Sequence, residues 1–242
     1  IYTVSGVSLD GKHGRKVLDD ITFSICSGEI LGVAGVSGNG QGELTNVLTG
    51  LIKPTHGSIK VGEKEISHLS PGEISDAGVG RTPEDRHEGM IGDLTVAENL
   101  ALEHISMFKK NGFLDQKLMV EDAKEKIKEF QIKASPNDQL RKLSGGNMQK
   151  VVLARALMRK PKVLIACQPT RGLDVGATEY VRQRLLEEKS KGTAVLLLSE
   201  DLDEVLALSD RIAVIYEGRI NGIVPSAEAT PEKIGLLMAG AV

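Results

Sequence analysis

Three short apolar runs in the second half of the chain restrict its fold more than any other feature. VLIAC (163–167), TAVLLLS (193–199) and RIAVIYEG (211–218) are too short for ordinary helices and too uniformly apolar for strands with one wet face. Helical stretches separate them, one over about 175–190 and another in LDEVLALS. Apolar strands alternating with helices require a parallel sheet covered on both faces. EILGVAG (29–35) is a further strand of this type, running straight into glycines, and the helical residues ELTNVLTGL (43–51) follow and stop before Pro54. SIKVGEKEI (58–66) reads as a hairpin at a sheet edge. The pattern between about 84 and 160 is mostly helical. There Thr95 and Glu98 form a capping box ahead of VAENLALEHI. Met119, Ala123, Ile127 and Phe130 mark one face of an otherwise charged helix. The expected fold is an α/β core that contains both ends of the chain, with a helical insert and an antiparallel β edge.

Composition narrows the function classes. Net charge is −3, with 30 basic against 33 acidic residues, so nothing electrostatic favours nucleic acid. Aromatic residues make up 3% of the chain and Trp is absent, which also removes base-stacking platforms. Cys26 and Cys167 form neither a disulfide framework nor a zinc pattern, and His56, His68, His87 and His104 lack metal-ligand spacing. A reducing cytosolic compartment is therefore expected. The longest apolar runs, such as AVLLL (194–198), are far shorter than a membrane span. The chain begins Ile1-Tyr2 without Met and is expected to be a piece of a longer polypeptide.

The loop Gly35-Val36-Ser37-Gly38-Asn39-Gly40-Gln41-Gly42 lies between a strand and a helix, where successive backbone N–H groups and a helix N-terminus can converge on a phosphate. A dinucleotide fingerprint would need glycine where Glu43 stands. The GxxxxGK[ST] pattern fits better: Gly35 and Gly40 are in place, while Gln41 replaces the Lys and Gly42 the Ser/Thr. A cation for the β/γ-phosphates and a hydroxyl for Mg²⁺ are thereby lost. Taken alone, such a loop is equally a tight turn with no ligand.

The string LSGGNMQ (143–149) follows about 100 residues later, and QPTRGLD (168–174) shortly after it. With the degenerate P-loop, this order resembles the ATP-binding cassette (ABC) family over nearly all of the chain. The resemblance implies a P-loop NTPase (RecA-like) core with an antiparallel β edge and an inserted helical subdomain at about 84–160, the whole of 1–242 being one nucleotide-binding domain. It also implies that two cassettes pair head to tail, each ATP lying between one P-loop and the other cassette's signature. Leu143, Ser144, Gly145, Gly146 and Asn147 would be that signature. Their chemistry agrees: a hydroxyl, two residues without side chains, and a helix N-terminus. In isolation the same residues are an ordinary N-cap followed by flexible glycines.

Carried over position by position, the family pattern is eroded elsewhere. Cys167 and Gln168 stand where an Asp–Glu pair would bind Mg²⁺ and activate water. Cys167 by itself reads as a small buried hydrophobe. Gln168 can orient a water but cannot take its proton, and general-base catalysis contributes about 10²–10⁴-fold. Glu200 occupies the switch-His position and Glu84, in RTPEDR (81–86), the Q-loop position. Arg171-Gly172-Leu173-Asp174 keeps the family form, with Asp174 as the D-loop acid. His13 is the nearest candidate to stack on adenine, and reads equally as a solvated loop histidine. Together these replacements leave the γ-phosphate position more negative than in the family pattern, the reverse of what phosphoryl transfer requires.

The combination GNGQ, PEDRH, QPTRGLD and LSGGN resembles the second, C-terminal cassette of bacterial importers for simple sugars and nucleosides, and GVSGNGQGEL with RTPEDRH leans toward the nucleoside branch. That implies weak ATP/ADP binding at its own site through Gly35–Glu43, no Mg²⁺ there, and no hydrolysis by the isolated domain. The implied partners are a second cassette, N-terminal in the same polypeptide, transmembrane permease subunits and, indirectly, an extracellular solute-binding protein. The implied location is the cytoplasmic membrane face. A compensated active ATPase, a purely structural or regulatory cassette, and a non-transport ATPase acting on DNA or ribosomes remain as alternatives. The last would carry long coiled coils or basic linkers, which this sequence lacks.

Overall fold

Alternation of buried and exposed residues builds the first two strands, β1 (Tyr2–Asp10) and β2 (Lys16–Ile25), which pair antiparallel. The computed structural model describes residues 1–11, 15–87, 89–110 and 112–241. β3 (Ile30–Ala34) is buried throughout and delivers the chain to helix α1 (Gln41–Leu48). β4 (His56–Val61) and β5 (Lys64–Glu65) form the expected hairpin. Helix α2 (Pro71–Asp76) and strand β6 (Val79–Thr82) follow. Next come α3 (Val96–Ala101), a 3₁₀ stretch at Leu102–Phe108, the short pair β7 (Lys109–Lys110) and β8 (Phe113–Leu114), α4 (Gln116–Glu129) and α5 (Gly145–Leu157). β9 (Val163–Cys167), α6 (Val175–Ser190), β10 (Ala194–Leu198), α7 (Leu202–Leu208), β11 (Arg211–Tyr216), β12 (Arg219–Pro225) and α8 (Pro231–Met238) complete the chain.

The chain divides into two compact units, one of Ile1–Arg81, Lys160–Gln168 and Arg184–Val242, the other of Thr82–Arg159 and Pro169–Gln183. The first holds an antiparallel sheet in the order β2-β1-β4-β5 and a six-stranded sheet in the order β12-β11-β3-β10-β9-β6. β11, β3, β10 and β9 run parallel, with Leu196 opposite Leu31 on one side and Ile165 on the other. Every residue of β3, β9 and β10 is buried, which accounts for their uniformly apolar composition. On one face Leu31, Val33, Ile165 and Leu196 join Leu44 and Leu48 of α1 and the inner side of the antiparallel sheet in one apolar cluster. Val205 of α7 and Ile234 of α8 pack with Ile212 and Val214 on the other. The buried Glu29 carboxylate receives Arg211 at 2.8 Å and the Cys26 amide at 2.6 Å, tying two strand starts together.

The second unit is mainly helical. Thr95 and Glu98 make the predicted capping box at α3, and Asp115 caps α4. Met119, Ala123 and Phe130 are buried along the predicted face of α4, and Met119 packs with Ala101 and Phe108. Asn99, fully buried, accepts from the Ile91 amide and donates to the carbonyls of Ile91, Leu94 and Thr95, stitching the loop before α3 to the helix.

Candidate functional site

In the first unit the turn from β3 into α1 builds an anion cradle. Gly40 takes a left-handed conformation (φ 100°) at the N-cap of α1, and no side chain caps the helix. The leading amides of α1 therefore point outward without an intrahelical partner. Val36, Ser37 and Gly38 are exposed, while Asn39 closes the loop by donating to the Val36 carbonyl at 3.1 Å. Its amide oxygen accepts from the Glu217 N–H at 2.9 Å, and the Gly218 N–H donates to its backbone carbonyl at 3.0 Å. The β11–β12 turn thus braces the loop. Arg15, Gly38, Gly40, Glu43 and Glu217 line a cleft of about 480 Å³ at its mouth. Arg15, Glu217 and Gly218 were not among the sequence candidates. Glu217 lies far along the chain and carries no motif, so no sequence signal marks it.

The side chains of Gln41 and Gln168 are hydrogen-bonded within the protein. Gln41 is buried and its amide donates to the Gly35 carbonyl at 3.3 Å, turned back into the loop. Gly42 has no side chain to offer. The nearest hydroxyl one turn on, Thr45, donates to the Gln41 carbonyl at 2.9 Å and lies 3.6 Å from the Cys167 sulfur. Gln168 is buried in a left-handed conformation (φ 44°), a strained backbone for a residue with a side chain. Its N–H donates to the Leu198 carbonyl at 2.8 Å, and its side-chain oxygen accepts from the Glu200 N–H at 3.2 Å. The structure therefore brings Gln168 and Glu200 together, through the backbone of the latter. The cradle suits an anion held by backbone amides. Gly42, Cys167 and Gln168 themselves supply neither a hydroxyl nor a carboxylate. His13 lies outside the described residues.

In the second unit Ser144 is exposed and caps α5, its Oγ accepting from the Asn147 N–H at 3.4 Å and the Asn147 side-chain NH₂ at 3.0 Å. Leu143 is half-buried. Gly146 packs against α6: a Cβ there would lie 2.9 Å from the Ala177 Cβ. Asp174 caps α6 by accepting from the Ala177 N–H at 2.8 Å. Arg86, in the RTPEDR loop, donates to the Arg171 carbonyl at 2.7 Å, and its guanidinium lies against Gly145 and Gly172. Glu84 pairs with Arg171 at 3.6 Å, both ends well exposed. Glu84, Asp174 and residues 143–147 thus belong to one unit, a grouping in which sequence reasoning missed Arg86. Lys150 of α5 lies 4.2 Å above the Tyr180 ring and donates to the Gln131 carbonyl at 2.9 Å. Partial burial, with Lys133 nearby, holds its ammonium below the usual lysine range.

The ABC transporter family model matches residues 18–171, from within β2 through the glycine loop and the LSGG string at 143–146 to the turn at Arg171. The chain belongs to the ABC transporter family. Guanosine import ATP-binding protein NupO of Bacillus subtilis (strain 168) is 43% identical to this cassette over 247 residues, 99% of the chain and 48% of that protein. Ribose import ATP-binding protein RbsA of the same strain is 39% identical over 242 residues, again 99% of the chain and 48% of the relative. The cassette thus spans about half the length of these relatives. A dimeric ATP-binding cassette in a post-hydrolysis state, bound to ADP and Pi, superposes with a TM-score of 0.79 at 25% identity, covering 93% of this chain and 99% of that one. The ABC cassette fold, an α/β P-loop NTPase core with a helical subdomain, is therefore the fold of this chain. Among the described residues no helix is long and apolar enough to cross a membrane.

Proposed function

We propose that this chain is the second, degenerate cassette of an importer for nucleosides or simple sugars, and that it lends its signature to an ATP held by a partner cassette. The carrying observation is an asymmetry of commitment. At the chain's own loop Gln41, Thr45 and Gln168 are hydrogen-bonded inward, leaving backbone amides of the loop, with Arg15 at the cleft, as the anion donors. At the signature, Ser144 is exposed at the head of a 13-residue helix. Gly35, Val36, Ser37, Gly38, Asn39, Gly40, Gln41, Gly42 and Glu43 would hold ATP or ADP weakly and without Mg²⁺. Leu143, Ser144, Gly145, Gly146 and Asn147 would meet the partner's nucleotide, with Asp174 beside them. The helical subdomain and the Glu84 loop would grip transmembrane permease subunits at the cytoplasmic membrane face, served from outside by a solute-binding protein. The similarity to NupO supports a nucleoside over ribose.

The reading is tested in the complete transporter. Ser144→Arg is expected to abolish ATP hydrolysis and uptake, because a bulky cation replaces the hydroxyl donor. Gln168→Ala is expected to leave turnover within about threefold, since the Gln168 amide is no base. Uptake that survives Ser144→Arg, or turnover lost with Gln168→Ala, would overturn it.

A further inference from the structure

We infer that Asn147 is a positioning residue that fixes the polarity of the Ser144 hydroxyl, turning it into a dedicated hydrogen-bond donor for the phosphates of the nucleotide it meets. The inference rests on the proposed role of the signature and deepens it. The Lys133 backbone N–H lies 2.9 Å from the Asn147 side-chain oxygen. An amide N–H can only donate, so the Asn147 carbonyl oxygen has to face it and the NH₂ has to face the other way. That NH₂ lies 3.0 Å from Ser144 Oγ, and the Asn147 backbone N–H reaches the same oxygen at 3.4 Å. Serine oxygen has two lone pairs, and both are then engaged as acceptors. Its proton has to point elsewhere, and among the described residues no acceptor receives it. An exposed hydroxyl locked as donor, beside the outward amides of Gly145 and Gly146, is preorganised for an anion and mismatched to a cation. Both ends of the Asn147 side-chain amide are engaged within the protein, so that side chain acts through Ser144, while the residue's backbone remains part of the surface that meets the nucleotide.

Asn147→Asp separates this role from simple support of the helix. The carboxylate still accepts from Lys133 and sits in the first turn of α5, where negative charge stabilises a helix. Toward Ser144, however, it can only accept, so it draws the hydroxyl proton inward. Asn147→Ala merely frees the hydroxyl to rotate. In the complete transporter, KM for ATP should rise about tenfold or more with Asn147→Asp and only a few-fold with Asn147→Ala. The thermal midpoint of Asn147→Asp should equal or exceed that of the unaltered protein. Neither substitution should add to the effect of Ser144→Ala in the double variants. An Asn147→Asp effect that persists undiminished in the Ser144→Ala background, or that tracks a fallen thermal midpoint, overturns the inference alone. An unchanged KM in Ser144→Ala overturns both it and the proposed role of the signature.

Discussion

Gly218 shows how a single residue far along the chain controls the anion cradle. It has φ 74°, and a Cβ there would sit 2.1 Å from the Val17 carbonyl oxygen. Its N–H holds Asn39, and its own carbonyl accepts from the Asp19 N–H at 2.8 Å. Gly218→Ala combines an unfavourable left-handed backbone with a steric clash, and is expected to cost about 1–3 kcal/mol in thermal or urea unfolding. Because β2 carries Lys16 and Val17 into the cleft, the same variant should weaken the nucleotide binding proposed for that cleft, as read by calorimetry on the isolated chain. Gln41 makes a related point in reverse. As a residue type it could donate to a phosphate, yet its place in the fold sends that donor to Gly35.

Among the elements, α3 carries the clearest dependence on pH. The Thr95 backbone N–H and hydroxyl both donate to the Glu98 carboxylate at 2.8 Å, and these bonds hold its pKa below the ordinary 4.5. A carboxyl depressed on folding contributes stability that is fully present above its unfolded value and is lost as pH falls through its folded value. Glu98→Gln should therefore be less stable than the unaltered chain at neutral pH, by a few tenths to about 1 kcal/mol. The difference should vanish in acid, below the folded value. Urea midpoints at several pH values check this; a difference that grows in acid would contradict it. α3 was readable from Thr95 and Glu98, because a capping box is local. The pairing of Arg86 with the Arg171 turn was not, because 85 residues separate them and neither carries a periodic signal.

For the molecule as a whole, the six-stranded sheet is assembled from segments that are distant in sequence, with β10 inserted between β3 and β9. Leu196 at its centre is fully buried, and Leu196→Ala is expected to cost about 2–5 kcal/mol, whereas Leu118→Ala, 43% exposed on α4, should fall within about 0.5 kcal/mol of the unaltered chain. Denaturant midpoints distinguish the two. Periodicity and local motifs alone determined the parallel core, the hairpin, the amphipathic α4 and the glycine loop, and made the LSGG string at 143–146 visible, because each of these is written in residues adjacent along the chain. Only the tertiary structure decided what the loop residues bond to: Glu217 and Gly218 against Asn39, Thr45 beside Cys167, Gln168 turned to the Glu200 amide, Lys133 orienting Asn147. Those outcomes depend on which donor meets which acceptor once distant segments close on one another, and a hydrogen bond needs a distance and a direction that no one-dimensional pattern contains.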